Sequence, residues 1–206
     1  MKTLSDLVKI VDKGEKNIIS VKTKESSIRR INITIEGNNN EVFIEEGGTN
    51  VTIDLHIKGD NNLFFLDKDY RTIKTNVLLF GEDQRITIGK YAHIGGCGLN
   101  AQENTSIEIG DNALIAYQTD IRTTDSHSVI DNKTGQRINP AASVKLGDRV
   151  WVATQVIISK GVELKNDIIV GAKALVTKSF DQSNIMIGGV PAKIIKEDVS
   201  WALDKK

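Results

Sequence analysis

His127 is the residue of this chain whose neighbours most suggest chemistry. It ends the stretch TTDSH at 123–127, directly after Asp125 and Ser126. An imidazole titrates near neutral pH, so it can take a proton from a hydroxyl group as a general base. Asp125, or the backbone of His127 itself, could orient the ring and hold its tautomer. The alternative is a solvated loop histidine with no chemical task.

The other candidate reactive groups indicate neither a metal site nor a cysteine nucleophile. His56 and His93 lie far from His127 in the sequence, so we expect no metal and interpret both as structural or surface residues. Cys97 is the single cysteine, which excludes a disulfide within the chain. No motif marks it as a nucleophile, and we expect an idle thiol.

The charge balance and the lack of long apolar runs limit which partners the protein can bind. The chain has 206 residues with 27 basic and 27 acidic side chains, and this balance argues against a nucleic-acid or membrane-surface binder. No apolar run approaches the roughly 18 residues of a membrane span. Met1–Lys13 lacks the apolar core of a secretory signal. We therefore expect no nucleic acid, no membrane and a cytoplasmic location.

A six-residue repeat predicts the element that must hold His127. From Val144 the chain reads VKLGDR, VWVATQ, VIISKG, VELKND, IIVGAK and ALVTKS, with an apolar residue at every sixth position from Leu146 to Val176. A second apolar residue stands two positions earlier, so both share one face of a short strand. Such short strands bury little alone, and the units must stack on one another. A structural or adhesive solenoid without chemistry is the alternative reading.

The same period occurs upstream with two interruptions. Ile88 and Ile94 are out of phase with Ile109, Ile115 and Ile121, which predicts a bulge or loop near Gly95–Thr105. The anchors Ile121 and Leu146 are separated by 25 residues, so Arg122–Ser143 is a candidate excursion and a place for function. Before Ile86 the pattern is looser, and we read irregular coils. The segment Pro191–Lys206 is a plausible short helix covering the open end of the stack.

Three stretches together resemble the hexapeptide-repeat acyltransferase family: TTDSH at 123–127, LGDRVWVATQVIISKGV at 146–162, and IIVGAKALVTKSF at 168–180 with GGVPAKIIK at 188–196. The RTTDSHSVIDNKTGQRIN segment and VPAKIIKEDVSW are most similar to the capsule and polysialic acid O-acetyltransferases. The resemblance implies a left-handed parallel β-helix. Together with the excursion as a protruding loop and the short C-terminal helix, the expected fold class is all-β. The resemblance also implies a homotrimer with active sites between subunits.

One continuous domain is expected, with three regions. Residues 1–85 would form an irregular N-terminal cap and solenoid coils. Residues 86–190 would form the hexapeptide-repeat catalytic region with the loop 122–143, and residues 191–206 the C-terminal helix.

The resemblance assigns roles to particular residues. His127 would be the catalytic base, Trp151 a wall of the site, and the Thr154 amide the donor that stabilises the oxyanion. Alternation points Trp151 outward, where a subunit contact is the other way to cover it. Acetyl-CoA would be the co-substrate, held by residues of the later coils: Ala153, Ala172, Thr177, Lys178, Pro191, Lys193 and Lys196.

The favoured function is O-acetyl transfer from acetyl-CoA to a hydroxyl of a surface or capsular polysaccharide sugar, possibly sialic acid. One alternative is an acetyltransferase for a small molecule, such as an antibiotic or a nucleotide-linked sugar. A second alternative, from another class, is a non-catalytic solenoid binding protein. The sequence leaves open the identity of the acceptor and the regiochemistry.

Overall fold

A computed structural model of the chain describes residues 4–204. Residues 1–3 and 205–206, which belong to the expected N-terminal region and C-terminal helix, lie outside the described residues. A single helical turn, α1 (Leu4–Leu7), and a 3-10 turn at Glu25–Ser27 are the helical elements of the described part. No described helix has the length and apolar character needed to cross a membrane.

Strands make up the rest of the regular structure. They are, in chain order, β1 (Val8–Asp12), β2 (Ile18–Val21), β3 (Ile28–Glu36), β4 (Glu41–Ile44), β5 (Val51–Lys58), β6 (Leu63–Leu66), β7 (Thr72–Phe80), β8 (Arg85–Ile88), β9 (His93–Gln102), β10 (Ser106–Ile109), β11 (Leu114–Ile115), β12 (Thr119–Arg122), β13 (Val144–Leu146), β14 (Trp151–Val152), β15 (Ile157–Ile158), β16 (Glu163–Leu164), β17 (Ile169–Val170), β18 (Leu175–Val176), β19 (Met186–Gly188) and β20 (Lys193–Lys196).

The strands stack in parallel register as the coils of a solenoid. In the N-terminal half one coil takes 22 residues, so that Glu41 lies beside Leu63. In the C-terminal half one coil takes 18 residues, and Leu146 lies beside Leu164. Eighteen is three repeats of six, which confirms the stacked β-helix predicted from the hexapeptide period.

Each C-terminal coil has three sides. The first face consists of β11, β14, β17 and β19, the second face of β12, β15 and β18, and the third face of β8, β10, β13 and β16. The chain runs from the third face to the first, then to the second, and returns to the third. The first and second faces belong to one sheet because the long strand β9 pairs with both β11 and β12.

The core consists of stacked rows of inward-pointing apolar side chains, as the six-residue period predicted. Val144, Leu146, Val150 and Val152 are fully buried, as are their counterparts in the other coils. β-Branched side chains dominate this core, and they fit an extended backbone because the branch at Cβ packs on a pleated surface. Every coil buries apolar surface against the coils above and below it.

The predicted phase break near Gly95 is a bulge. β7 and β9 pair Ile73 with Ile94, but then Thr75 with Cys97, so β9 contains one extra residue at Gly95–Gly96. The bulge lets β9 continue as one strand over two faces, without a separate loop before Thr105. Ile88 pairs with Ile109, 21 residues further on, so this coil is three residues longer than the coils of 18 and the anchors on either side are out of phase.

The corners of the N-terminal coils require glycine where successive turns touch. A Cβ added to Gly37 would lie 2.1 Å from the Gly59 carbonyl oxygen, and one added to Gly59 would lie 2.1 Å from the Gly81 carbonyl oxygen. Both residues also have positive φ, at 143° and 127°. The similar Gly-Asn-Asn and Gly-Asp-Asn stretches of the sequence are these stacked corners.

A buried ladder of polar side chains crosses the coils beside these corners. Asn62 is representative: its Nδ2 donates to Asn40 Oδ1 at 3.0 Å and to the Gly81 carbonyl at 2.9 Å, and its Oδ1 accepts from the Gln84 amide at 2.8 Å. Each rung satisfies corner backbone groups that have no strand partner. The rungs are Asn17, Asn40, Asn62, Gln84, Thr105 and Thr123.

The prediction of a short C-terminal helix over 191–206 is wrong for the described residues. Lys193–Lys196 forms the strand β20, which pairs antiparallel with β19, and residues 197–204 contain no helix. The last coil presents backbone groups that a strand can pair with and a helix cannot. The adjacent β-branched residues Ile194 and Ile195 also favour the extended chain.

Removal of one rung of the ladder should destabilise the solenoid. Asn62→Ala leaves the Gln84 amide and the Gly81 carbonyl buried without partners, so we expect the free energy of unfolding to fall by about 2–3 kcal/mol. Urea denaturation followed by circular dichroism measures this loss. Asn76→Ala, an exposed change on β7, is the control and should cost less than about 0.5 kcal/mol. Equal stability of the two variants would show that the ladder contributes nothing.

Candidate active site

His127 lies on the long excursion that interrupts the later coils. Ile107 pairs with Val144, 37 residues further on, where other coils of this region take 18. The added residues lie between β12 and β13, at the corner between the second and third faces, here called the His127 corner. The His127 side chain is exposed there, as expected for a group that must meet a substrate.

Asn139 holds the backbone of His127 in place. Its Nδ2 donates to the His127 carbonyl oxygen at 2.9 Å and to Asp125 Oδ2 at 2.8 Å, and its Oδ1 accepts from the Val129 amide at 2.7 Å. One side chain therefore bridges the two arms of the excursion on both sides of the histidine. The backbone bond from the Ile138 amide to the Val129 carbonyl, at 2.9 Å, closes the same small hairpin.

Asp125 anchors the excursion to the next coil. Its Oδ2 accepts from the Lys160 ammonium, which also donates to the Asn139 carbonyl at 2.9 Å. The hydrogen bond from Lys160, and then that from Asn139, keep the pKa of Asp125 below its ordinary range. Within residues 4–204 the His127 imidazole has no hydrogen bond, so the carboxylate of Asp125 holds the loop and not the ring.

Glu103 secures the other side of the excursion. Arg137 donates to both of its carboxylate oxygens, at 2.6 and 2.9 Å, and the Thr124 hydroxyl donates to Oε1 at 3.0 Å. The hydrogen bonds from Arg137 lower the pKa of Glu103. The Ala142 amide donates to the Thr123 carbonyl and closes the base of the loop. The polar ladder thus ends where the excursion begins.

Trp151 lies on the first face, in β14, between Leu114 and Ile169 of the neighbouring coils. Its ring is half-buried because the Trp201 ring packs against it with centroids 6.1 Å apart. Trp201 Nε1 donates to the Arg149 carbonyl at 2.7 Å, and Arg149 Nη2 donates back to the Trp201 carbonyl at 3.1 Å. The C-terminal segment of the same chain therefore supplies part of the cover that we expected from a neighbouring subunit.

Thr154 lies at the corner between the first and second faces, here called the Thr154 corner. Its hydroxyl donates to the Tyr117 carbonyl at 3.0 Å and its carbonyl accepts from the Lys173 amide at 3.0 Å. The neighbouring Ala153 amide donates to the Val170 carbonyl. The Thr154 amide itself donates to no other described residue, so it is free to bind an oxygen from outside the chain.

The residues expected to bind acetyl-CoA lie on the coils that follow Trp151, apart from Ala153, which lies on the coil of Trp151 itself. Ala172 stacks over the Thr154 corner, and Pro191 follows a cis peptide bond in the hairpin above it. Thr177 and Lys178 are exposed above the His127 corner. Lys193 and Lys196 are exposed on β20. The structure thus distributes these candidates over two corners and the final strand of one chain.

The remaining histidines and the cysteine lie away from His127. His93 lies on β9 and His56 on β5, where the His56 ring packs edge-on against Phe80. No group of three potential metal ligands occurs among residues 4–204. Burial raises the pKa of the Cys97 thiol, which keeps it in the unreactive protonated form.

A single copy does not bring His127 and Trp151 together. His127 lies at the corner between the second and third faces, which is the corner opposite the first face that carries Trp151. A site that uses both side chains therefore needs two copies of the chain, each presenting a different side.

Comparisons with known proteins decide the family. The chain is 32% identical over 190 residues to a polysialic acid O-acetyltransferase of Neisseria meningitidis, which covers 92% of this chain and 87% of the relative. The chain belongs to the hexapeptide-repeat acetyltransferase family. No family model matches it.

Two solved structures share this acetyltransferase architecture. The polysialic acid-specific acetyltransferase NeuO superposes with a TM-score of 0.87 at 27% identity, over 98% of this chain and 91% of that one. The polysialic acid O-acetyltransferase OatWY superposes with a TM-score of 0.82 at 29% identity, over 97% and 93%. This hexapeptide-repeat acetyltransferase therefore has the parallel β-solenoid expected from its sequence and catalyses O-acetyl transfer.

Several residues that shape the site of this acetyltransferase escaped the sequence reasoning. Asn139, Lys160 and Glu103 hold the excursion, and Trp201 covers Trp151. Their partners are 10 to 52 positions away in the sequence, and no periodicity links them. Of these residues, Trp201 alone carries a signal in the sequence, because a tryptophan in a polar segment needs a packing partner.

Loss of Asn139 should release His127 without unfolding the solenoid. Asn139→Ala removes the bonds to the His127 carbonyl, to Asp125 and to the Val129 amide, so we expect hydrogen exchange at Val129 and Ile138 to accelerate at least tenfold. The thermal midpoint should change by less than about 2 °C, because the change lies outside the core. Asn132→Ala, exposed in the same loop, is the control. Unchanged exchange in Asn139→Ala would contradict the anchoring role.

Proposed function

We propose that this acetyltransferase transfers acetyl from acetyl-CoA to a hydroxyl of sialic acid in a capsular polysaccharide. The observation that carries the proposal is the similarity to a polysialic acid O-acetyltransferase along nearly the whole of both chains. The rigid presentation of an exposed His127 supports it, because a general base must stand at a fixed distance from the hydroxyl.

His127 would act twice in the reaction. Its imidazole accepts the hydroxyl proton as the sugar oxygen forms a bond to the thioester carbonyl carbon. When the carbon–sulfur bond breaks, the imidazolium returns that proton to the leaving sulfur, so the protein ends unchanged. No side chain carries the acetyl group, and the protonated, buried Cys97 thiol has no part in the transfer.

The Thr154 amide would stabilise the negative charge that develops on the carbonyl oxygen. Its N–H donates to no other described residue and sits on a corner fixed by the Tyr117 and Lys173 contacts, so little reorganisation is needed when charge appears. Trp151 would form the wall beside it. The proposed contacts to acetyl-CoA come from Ala153, Ala172, Thr177, Lys178, Pro191, Lys193 and Lys196, with Lys193 and Lys196 facing the nucleotide phosphates.

We propose a homotrimer in which each site lies between two copies. The positions of His127 and Trp151 on opposite sides of one chain support this arrangement, because a cyclic assembly brings one side of each copy to the other side of the next. The cytoplasm is the proposed compartment, and the unpaired Cys97 suits a reducing environment.

Turnover of His127→Ala tests the mechanism. We expect kcat for acetyl transfer to sialic-acid oligosaccharides to fall about 10²–10⁴-fold, with binding of acetyl-CoA retained. Mass spectrometry of the acceptor and release of free thiol measure the reaction. Ser128→Ala, the neighbouring change, should keep activity within about threefold. Wild-type rates in His127→Ala would remove the proposed base, and wild-type transfer only to small neutral acceptors would overturn the polysaccharide substrate.

Mixing two inactive variants tests whether the site is shared. His127→Ala and Trp151→Ala should each be strongly impaired alone. After co-refolding in equal amounts, about three quarters of random trimers are mixed, and each mixed trimer has one intact site of three, so activity should return to about a quarter of wild type. Size-exclusion chromatography with light scattering confirms the assembly. Activity no higher than the sum of the separate variants would place the site within one copy.

A further inference from the structure

A pocket of about 410 Å³ lies on the first face, directly beside Trp151. Its floor includes His93 and Leu114, and the C-terminal segment from Trp201 to Asp204 forms one wall. Trp201 is fixed there by its two hydrogen bonds with Arg149, and the Arg149 guanidinium lies 5.0 Å from the centre of its ring. The pocket is therefore held in shape before any ligand enters.

Charge in this pocket favours an anion. Arg71 is exposed and forms no ion pair or side-chain hydrogen bond within residues 4–204, so its fork of N–H donors is free. Arg149 contributes a second guanidinium, although Asp167 accepts from its Nε at 2.7 Å. Asp204 is the one carboxylate among the described residues that line the pocket.

The pKa of His93 is affected by the same positive charges. Its pKa is lowered, first by burial and then by the positive charges of Arg71 and Lys74. At neutral pH it is an uncharged ring that can donate or accept a hydrogen bond beside the arginine.

The remaining walls suit a sugar ring. The Tyr91 hydroxyl and the Asn112 amide can bond its hydroxyl groups. A carboxylate next to an arginine fork forms two parallel charge-assisted bonds, which is the strongest anchor available here.

Position along the solenoid assigns the pocket to the acceptor. Arg71, Tyr91, His93 and Asn112 lie on coils before Trp151, whereas the residues proposed for acetyl-CoA lie on coils after it, apart from Ala153 on the coil of Trp151 itself. If acetyl-CoA reaches Trp151 from the later coils, the sugar acceptor reaches it from the earlier coils and occupies this pocket.

We propose that this pocket is an acceptor subsite and that Arg71 binds the carboxylate of an acidic sugar residue. The inference rests on the proposed function, since it takes sialic acid as the acceptor class. It adds a specificity-determining residue outside the hexapeptide motifs, on a coil of the N-terminal half.

The test compares acceptors that differ only in the carboxylate. Wild-type enzyme and Arg71→Gln are assayed with a sialic-acid oligosaccharide and with its carboxyl-reduced form, at saturating acetyl-CoA. We expect Arg71→Gln to raise KM for the acidic acceptor about tenfold or more with little change in kcat. It should also erase the preference of the wild type for the acidic over the reduced acceptor.

Two further variants make the result specific. Arg85→Gln removes an exposed arginine from the third face, away from the pocket, and should leave KM unchanged. Asp204→Asn removes the negative charge from the pocket and should leave KM for the acidic acceptor equal or lower. Thermal unfolding and acetyl-CoA binding verify that Arg71→Gln is folded.

The outcomes separate the subsite from the function. Normal KM and retained acid preference in Arg71→Gln would overturn the subsite while the wild-type turnover upholds the proposed function. A tenfold rise of KM in Asp204→Asn would also overturn an anion at this position. Wild-type enzyme that acetylates only neutral acceptors would overturn the proposed substrate, and the carboxylate subsite with it.

Discussion

Every coil of this solenoid must turn the chain at its corners, where the backbone leaves the strand ladder and loses its regular partners. Buried groups without partners would cost free energy in each coil, and the cost would recur at every turn. The ladder from Asn17 to Thr123 meets this constraint in the N-terminal half, because each side chain bonds the corner backbone of its neighbours. Stacked glycines allow the approach that these bonds require.

The excursion that carries His127 depends on the same ladder. Thr123 is both its last rung and the residue whose carbonyl receives the Ala142 amide at the base of the loop. From there Asn139, Lys160 and the Glu103–Arg137 pair hold the chain against two coils. An exposed histidine on such a support combines access for a substrate with a fixed position, which general-base chemistry needs.

The C-terminal segment extends the first face and forms one wall of its pocket. The pairing of β20 with β19 extends the sheet at the end where the sequence suggested a helix. After β20 the chain folds back, so that Trp201 contacts Trp151 and Arg149, which lie about three coils earlier in the sequence. This return forms the wall of the pocket beside Trp151, so the tail shapes the surface on which we place the acceptor.

The sequence by itself determined the solenoid, its strands and its one large excursion, because a period of six expresses a local rule: alternate residues point inward and the chain turns between them. Resemblance in the motifs around His127 and Trp151 was enough to indicate the family, which the match to a relative over 87% of that relative's length establishes. A break near Gly95–Thr105 was predictable because the anchors change phase there, and the coil from Ile88 to Ile109 is three residues longer than the later coils.

Only the tertiary structure decided which side each candidate faces and what holds it. Asn139, Lys160 and Trp201 reach their partners across coils, and such contacts leave no periodic trace in the chain. The same holds for the pocket with Arg71, which exists only because a tail returns to a distant coil. The separation of His127 from Trp151 follows from the three-sided cross-section, a property of stacked coils that no single repeat contains.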